Sequence, residues 1–509
     1  DIEALGSALY KIPKQIEKFA DRYSLAVKHL DQIDFAPRAA MLEQAAGVVV
    51  EMVADLRHMN LDRMTALNDK LRSLENEADR LMLELYRDIY SGRLDHLQMF
   101  LLKEFFEILE KAIDRCRGAG VVAYQIVLKS GWRGLHMLAL VLVVIFAALV
   151  FEFINGFHDT ANSIATVVAT KVLSPGSAVM LAAIMNLLGA LTGTAVAMTI
   201  ANGIINADVV EVTPQVILCA LLGGIVWNLI TWWKGLPSSS SHALIGGLCG
   251  AALAAAYNDW DALVWSQNLG NWAQNKGLLW KVILPMVTSP IAGFLLGIVV
   301  MLLLWSLITL LSRFGGWIGR LARPRFVNMF FGKAQIASAA FMGFAHGHND
   351  AQKTMGIIAM TLISAEATGV LDDLPGWLGF LHPAASDGQT IATWIVLTCA
   401  VVMAAGTASG GMRIIKTMGH KMVKLHPIHG FAAETGSATI LVAAASFGMP
   451  VSTTHSTSTA IMGVGFAKNP RSLKIGVIER ILWAWVLTIP AAGGCAYLIL
   501  RGFELVGWA

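Results

Sequence analysis

Two hydrophobic patterns divide the chain. In residues 1–131, apolar side chains recur every three or four positions, as in LRSLENEADRLMLELYRDIY and LLKEFFEILEKAIDRCRGAGVVAYQIV. This spacing is typical of amphipathic helices. From residue 132 onward the pattern changes to long apolar stretches. The sequence therefore predicts an all-α protein: three or four helices packed as a soluble antiparallel bundle, followed by a polytopic membrane domain.

The apolar stretches after residue 132 are long enough to span about 30 Å of hydrocarbon. They cover 135–170, 177–200, 213–234, 283–312, 331–365, 392–411, 431–450 and 481–505, with the first and fifth interrupted by polar residues. Two shorter apolar runs, 238–257 and 451–467, follow a Gly-x-Pro sequence. Short runs of this kind predict re-entrant hairpins between spanning helices.

Composition agrees with a membrane protein: 56% of residues are hydrophobic and 14% are charged. More than half of the charged side chains fall in residues 1–131, which places a domain boundary near Gly131–Gly134. The net charge of +3 says little about partners. We expect no nucleic-acid partner, and we expect the five cysteines to be packing residues. The chain starts at Asp1, without Met, inside a helical pattern, so we expect its natural N-terminus to lie further upstream.

Two motifs occur twice in the same order. GFHDTANSIATVVAT at 156–170 aligns with GHNDAQKTMGIIAM at 347–360, which pairs Asp159 with Asp350. GLPSSSSH at 235–242 aligns with GMPVSTTH at 448–455. We interpret the membrane domain as an internal duplication, with helix breaks expected at Gly156 and Gly347 and at the two Gly-x-Pro sequences.

Loop charges orient the two copies. The basic loops 313–326, 412–430 and 468–480 are expected in the cytoplasm, whereas 202–214 and 364–377 contain no Lys or Arg and are expected outside. The chain then runs inward before GLPSSSSH and outward before GMPVSTTH, which predicts an inverted-topology repeat with a site near the membrane midplane. The same trace places residue 135 outside if 135–170 crosses once, and this conflicts with a cytoplasmic N-terminal domain.

The repeated Ser/Thr motifs suit an oxyanion. Helices beginning near Ser238 and Val451 would offer free N–H groups, a positive dipole end and hydroxyl donors from two sides. The alternative is that the hydroxyls cap helices or pack between them. The candidate anion ligands are Ser239, Ser240, Ser241, Ser452, Thr453 and Thr454, with Lys353 as a cationic partner.

Carboxylates inside apolar segments require a partner. Asp159 and Asp350 would repel an anion, so we expect them to hold coupling cations, Na⁺ or H⁺, that neutralise it. The alternative is an ion pair with Lys353 or His158. The candidate coupling-ion ligands are Asp159, Asn155, Asn162, Asp350, Asn349 and Glu434. His242 and His455 close the two motifs and are expected to brace the hairpin tips.

Three Glu-x-x-x-Asp pairs occur in residues 1–131, and this spacing places both carboxylates of a pair on one helical face. Converging pairs could hold a divalent or transition metal, and solvated helix surface is the alternative. The pairs are Glu17/Asp21, Glu75/Asp79 and Glu110/Asp114.

The motifs INGFHDTANSIAT, GLPSSSSH, AHGHNDAQKTMG and GMPVSTTH together resemble the PiT family of inorganic phosphate transporters. LENEADRLMLELY and LEKAIDRCRG resemble the PhoU-like accessory proteins, in which this Glu/Asp pattern binds metal. The resemblance implies four parts: a PhoU-like bundle (1–131, N-terminally incomplete), the first repeat (132–312), a basic cytoplasmic loop (313–332) and the second repeat (333–509).

The resemblance also implies import of inorganic phosphate by symport with Na⁺ or H⁺ in a multi-pass protein of the cell inner membrane. We expect a homodimer and a cytoplasmic, regulatory N-terminal domain. A sulfate or other oxyanion symporter and a non-transporting phosphate sensor are the alternatives. An enzyme is not expected: GHNDAQKT has P-loop spacing, but Gln352 replaces the second glycine.

Overall fold

The computed structural model describes residues 2–30, 33–270, 275–314, 316–372, 374–383 and 390–507, without the side chains of 130–134, 202, 412, 420, 421 and 472. The chain forms two compact units, Asp1–Met137 and Leu138–Ala509. The predicted boundary at Gly131–Gly134 lies shortly before the observed one. Its side chains fall outside the described part of the chain.

The first unit consists of helices, as its period of three and four predicts. They are α1 (Ile2–Ala26), α2 (Ala36–Asp55), α3 (Leu61–Ile89) and the start of α4 (His96–Ala169). Asn60 caps α3 by accepting a hydrogen bond from the Arg63 backbone N–H at 3.0 Å. Buried Val48, Met52, Leu71 and Ile113 form one apolar core with the buried thiol of Cys116.

The second unit contains two sets of helices in matching order. The first set is the later part of α4, α5 (Pro175–Ala190), α6 (Ala195–Asn202), α7 (Pro214–Lys234), α8 (Ser240–Ala255) and α9 (Leu284–Arg313). After α10 (Gly316–Leu321), the second set is α11 (Pro324–Ala367), α12 (Thr393–Ser409), α13 (Met412–Lys416), α14 (Pro427–Ser446), α15 (Thr453–Lys468) and α16 (Ile475–Leu505). The predicted loop 313–332 is largely helical, since it contains α10 and the beginning of α11. Pro324 occupies the first turn of α11, a position that proline favours.

The two sets exchange their packing partners. Helix α8 packs on α7 of its own set and on α16 of the other, whereas α15 packs on α14 and on α9. Both cross-set contacts use glycine: a Cβ on Gly250 would lie 2.0 Å from the Gly493 carbonyl oxygen, and one on Gly463 would lie 2.0 Å from that of Phe294. This reciprocal arrangement agrees with the predicted inverted repeat.

The predicted helix breaks at Gly156 and Gly347 are wrong. Helices α4 and α11 run through both positions without interruption. Each glycine instead lets another helix approach: a Cβ would lie 2.3 Å from the Met403 carbonyl oxygen at Gly156, and 2.1 Å from that of Asn186 at Gly347. The bends occur elsewhere. The bend between α5 and α6 (71°) lies inside the expected continuous segment 177–200, and the bend between α12 and α13 (60°) lies where the segment 392–411 was expected to end.

Within the described ranges, four helices are long and apolar enough to cross a membrane, and six if each bent pair forms one span. The four are Leu135–Ala169, Pro214–Lys234, Leu279–Arg313 and Ile475–Leu505. The central helices α8 and α15 are buried along nearly their whole length. Polar side chains of the repeated motifs therefore lie inside the unit, away from the surface that faces lipid.

Candidate ion and anion site

Both Gly-x-Pro sequences break the chain as predicted. Gly235 ends α7 with φ 62°, and Gly448 has φ 63°, a left-handed conformation that glycine adopts without strain. The helices that follow begin two residues later than expected. Ser239 and Ser452 are their N-caps, and each hydroxyl oxygen accepts the backbone N–H three residues on at 3.2 Å. These two serines therefore cap helices, which leaves the next two hydroxyls of each motif facing the site.

Each aspartate of the two repeated motifs accepts a hydrogen bond from a hydroxyl in the hairpin of its own repeat. Ser240 Oγ donates to Asp159 Oδ2 at 2.7 Å and to Asn155 Oδ1 at 2.6 Å. At the equivalent place in the second repeat, Thr453 Oγ1 donates to Asp350 Oδ2 at 3.1 Å. All of these side chains are buried. The arrangement is the same in both repeats.

At the site, side chains of each repeat also contact the hairpin of the other repeat. Asn162 Nδ2 donates to Thr453 Oγ1 at 3.1 Å and to Thr454 Oγ1 at 2.9 Å. Its repeat partner Lys353 donates to Ser241 Oγ of the opposite hairpin and to Asp350 Oδ1. Thus the predicted anion ligands and cation ligands form one connected network, and the Asp–Lys pair considered as an alternative is present within it.

Two histidines contact the aspartates. His158 Nδ1 lies 2.8 Å from Asp159 Oδ1, and His346 Nε2 lies 3.3 Å from Asp350 Oδ2. Asp159, His346 and Asp350 present ligand atoms within 4.8 Å of one another, and all three are buried. His346 is not among the predicted site residues; its position four residues before Asp350, one helical turn away, was the available signal.

His242 and His455 meet each other. Their ring centroids are 4.7 Å apart, and the His455 ring also stacks on Trp485 at 3.9 Å. Both rings are buried. The contact joins the hairpins of the two repeats, in agreement with a bracing role.

Some buried amide and carboxylate atoms at the predicted ion site lack a protein partner. Within the described residues, both side-chain polar atoms of Asn349, together with Asn162 Oδ1 and Glu152 Oε1, make no hydrogen bond. Glu152, a buried carboxylate that was not among the predicted ligands, accepts bonds from Thr354 Oγ1 and, at 3.5 Å, from Asn155 Nδ2. Such unpaired oxygens in a buried site fit a cation ligand set.

Glu434 forms a separate buried polar group. Its two carboxylate oxygens accept hydrogen bonds from Thr166 and Ser338 hydroxyls, and Gln335 Nε2 donates to it at 3.2 Å. It has no measurable exposure. Three neutral donors and no cationic side chain surround this carboxylate among the described contacts, so no neighbouring charge compensates it there.

The predicted metal ligands of the first unit do not all converge. Asp79, Glu110 and Asp114 lie together, with oxygens within 4.8 Å. Burial, followed by the neighbouring Asp114 charge, raises the pKa of Glu110 to about 7, and burial and Asp79 raise the pKa of Asp114. Glu75 instead pairs with Arg117 at 3.1 Å, because α3 and α4 bring these side chains together.

The remaining pair, Glu17 and Asp21, lines a groove that also contains Lys11, Lys14, Lys18 and Arg115. Lysines one helical turn away surround these carboxylates. They lie outside the acidic group of Asp79, Glu110 and Asp114, so among the described residues only part of the three pairs comes together.

Comparison with known proteins agrees with this architecture. Residues 155–496 match the phosphate transporter family, and the first unit lies outside that match. A "probable low-affinity inorganic phosphate transporter" of Bacillus subtilis (strain 168) is 43% identical over 72% of this chain and 98% of its own length. One of Rhizobium meliloti (strain 1021) with the same description is 43% identical over 70% and 95%.

A solved structure titled "The sodium-dependent phosphate transporter" shares the fold, with a TM-score of 0.58 and 24% identity over 72% of this chain and all of that one. The family match, the two relatives and the duplicated helices agree on a membrane transporter, not an enzyme. The chain belongs to the phosphate transporter family.

Proposed function

We propose that this protein imports inorganic phosphate by symport with Na⁺ or H⁺. The observation that carries the proposal is the repeated pairing of a buried aspartate with a hairpin hydroxyl, Ser240 with Asp159 and Thr453 with Asp350. The relatives described as inorganic phosphate transporters support the substrate, and the sodium-dependent transporter with the same fold supports a cation-coupled mechanism.

The aspartates explain why a cation is needed. Two buried carboxylates with oxygens within 4.8 Å of the same histidine disfavour each other's charge and that of an incoming anion. Lys353 supplies one positive charge beside Asp350. We propose that a coupling cation supplies the next, held by Asp159 together with the amide oxygens of Asn155 and Asn162. Phosphate binding then depends on cation binding, which is the thermodynamic basis of symport.

The anion is proposed to bind between the two hairpin tips. Ser241 and Thr454 are equivalent in the two motifs and lie in the first turns of α8 and α15. Helix N-termini and hydroxyl groups both donate to a tetrahedral oxyanion. Lys353 already contacts Ser241, so its ammonium group is placed to neutralise phosphate oxygens.

Uptake by proteoliposomes tests the substrate. Replacing the hydroxyls of both motifs, Ser239–Ser241 and Ser452–Thr454, with Ala should abolish saturable uptake of labelled phosphate while the protein remains monodisperse. Retained uptake would refute the anion site. Competition by excess sulfate separates the oxyanions, since loss of phosphate uptake in excess sulfate would indicate a general oxyanion symporter. Saturable phosphate binding without flux would indicate a sensor.

We further propose that the first unit is a cytoplasmic PhoU-like regulatory domain, that the transporter lies in the cell inner membrane, and that it forms a homodimer. The acidic group Asp79, Glu110 and Asp114 supports divalent-cation binding by that unit. Manganese titration of the full chain, followed by uptake, tests regulation; unchanged uptake at saturating manganese would contradict it. Mass photometry in nanodiscs tests the dimer.

A further inference from the structure

An apolar crevice lies beside the crossing of α8 and α16, away from the ion site. Its volume is about 360 Å³. The walls come from α8, from α16 and from the segment that follows α8; they include Ile245, Cys249, Ile489, Tyr497, Trp260 and Trp265.

Glycines create this space. Gly246 and Gly250 bring the two helices into backbone contact, since a Cβ would lie 2.5 Å from the Ile489 carbonyl oxygen and 2.0 Å from that of Gly493. Gly494 also lines the crevice, but a Cβ there would meet no atom within 4 Å. The helices therefore touch through their backbones, and a gap remains next to the contact.

The equivalent crossing in the other repeat is filled differently. Helix α15 meets α9 through Gly463 in the same way, but Thr459 Oγ1 would lie 2.5 Å from a Cβ on Gly293. The Phe294 and Phe466 rings pack there with centroids 5.6 Å apart. The side chains at the two crossings therefore differ, and the duplication of the fold does not by itself explain the crevice.

The crevice opens toward the surface that faces lipid. Trp260 is 58% exposed and Trp265 is 43% exposed, and the adjoining apolar side chains Leu284, Val486 and Leu487 are exposed as well. In a membrane transporter, such apolar faces contact acyl chains. Exposed apolar side chains next to the opening would let an acyl chain reach the crevice from the bilayer.

One end of the crevice carries aromatic and charged groups. The Arg501 guanidinium, one turn after Tyr497 on α16, lies 4.4 Å from the Tyr257 ring centroid and 5.6 Å from that of Tyr497. It also donates to Glu504 Oε2 at 2.6 Å. Tyr, Trp and Arg side chains gather at the level of lipid headgroups, and an arginine has five N–H donors for carboxylate and phosphate oxygens.

We propose that this crevice binds one acyl chain of a membrane phospholipid, whose phosphate lies beside Arg501. The apolar walls match the chain, and the Arg501 guanidinium, which uses one N–H for Glu504, has further N–H donors for a headgroup phosphate. This lipid site is separate from phosphate transport and from the residues that hold the coupling ion.

Photolabelling of the full-length protein in liposomes tests the proposal. The probe is phosphatidylglycerol with a diazirine in its acyl chain, mapped by mass spectrometry. Labelling is expected on peptides containing Cys249 and Gly494 in excess over the exposed α9 face, and natural phosphatidylglycerol should compete it away. Equal labelling of α9, or protein–protein cross-links at the crevice, would overturn the proposal.

A filled crevice provides the matched comparison. Gly494→Phe should lower crevice labelling about tenfold, equivalent to about 1.4 kcal/mol. Gly476→Phe, at the start of the same helix and also without atoms within 4 Å of its Cβ, should leave it unchanged. Phosphate uptake reports folding of both variants. Unchanged labelling in folded Gly494→Phe would refute the site.

Arg501→Gln gives a second, independent test if Gly494→Phe does not fold. The proposal expects labelling by the phosphatidylglycerol probe to fall to the level of a diacylglycerol probe that carries the same diazirine chain. An unchanged ratio between the two probes would contradict a headgroup beside Arg501.

Discussion

Removal of one hydroxyl, in Ser240→Ala, tests how the coupling-ion site is organised. Ser240 Oγ donates to Asp159 Oδ2 at 2.7 Å and to Asn155 Oδ1 at 2.6 Å, and the side chain is 1% exposed. The substitution removes both contacts without adding volume. Asp159 and Asn155 then lose one of the contacts that orient them toward the cation and keep those with His158 and Glu152.

The expected loss follows from the charge of the acceptor. A hydrogen bond to an ionised group contributes about 1.5–3 kcal/mol, and about 1.4 kcal/mol corresponds to a factor of ten in affinity. The apparent KM for the coupling cation should therefore rise about ten- to a hundred-fold. The KM for phosphate should follow in the same direction, because the two ligands are thermodynamically linked.

The assay is initial-rate phosphate uptake into proteoliposomes at graded cation concentrations. Ser289→Ala is the matched control, since Ser289 is a buried serine on α9 whose Oγ has no hydrogen-bond partner among the described residues. It should transport like the wild type. Wild-type KM values in Ser240→Ala would refute the role assigned to this hydroxyl.

Three further predictions follow from the packing and the charges. Gly347→Ala should impair folding or uptake strongly, because its Cβ would lie 2.1 Å from a carbonyl oxygen, whereas Gly332→Ala on the same helix should be neutral; thermal stability measures both. Glu434→Gln should remain folded but lose gradient-driven uptake, and full retention would show that this carboxylate carries no ion. In Glu110→Gln, protection of α3 and α4 from hydrogen exchange should fall less between about pH 4.5 and 7 than in the wild type.

The raised pKa of Glu110 determines how the stability of the first unit changes with pH. Folded Glu110, with its pKa raised to about 7, keeps a proton that the unfolded chain releases near its ordinary value. The free energy of unfolding therefore falls as pH rises through this window. A divalent cation bound by Asp79, Glu110 and Asp114 should restore protection at pH 8; an identical pH profile in Glu110→Gln would contradict the coupling.

The repeats and their chemistry were predictable because the motifs are contiguous. GLPSSSSH and GMPVSTTH contain the turn, the helix cap and the hydroxyls within eight residues. Short-range interactions are therefore enough to predict the helix break at each motif. The direct contact of each hairpin hydroxyl with an aspartate was not predicted, since the hydroxyls were expected to bind the anion and the aspartates the cation. The PhoU-like character of the first unit stays a prediction.

Contacts between distant helices were not predictable in the same way. Gly156 and Gly347 read as helix breaks, but their role depends on α12 and α5 passing within van der Waals distance. Close to the bend between α5 and α6, Gly189 likewise lets another helix approach, since a Cβ there would lie 2.0 Å from the Phe344 carbonyl oxygen of α11. His346 was missed because its partner atoms come from Asp350 and, on another helix, Asn186.

The central claim is that buried aspartates bind the coupling cation that allows phosphate to enter. The most direct test is ³²P-phosphate uptake into proteoliposomes under an imposed Na⁺ gradient, and separately under a pH gradient, with Asp159→Asn and Asp350→Asn. We predict that one gradient drives uptake in the wild type and that neither gradient does so in the variants. Gradient-driven uptake that persists in both variants would contradict the claim.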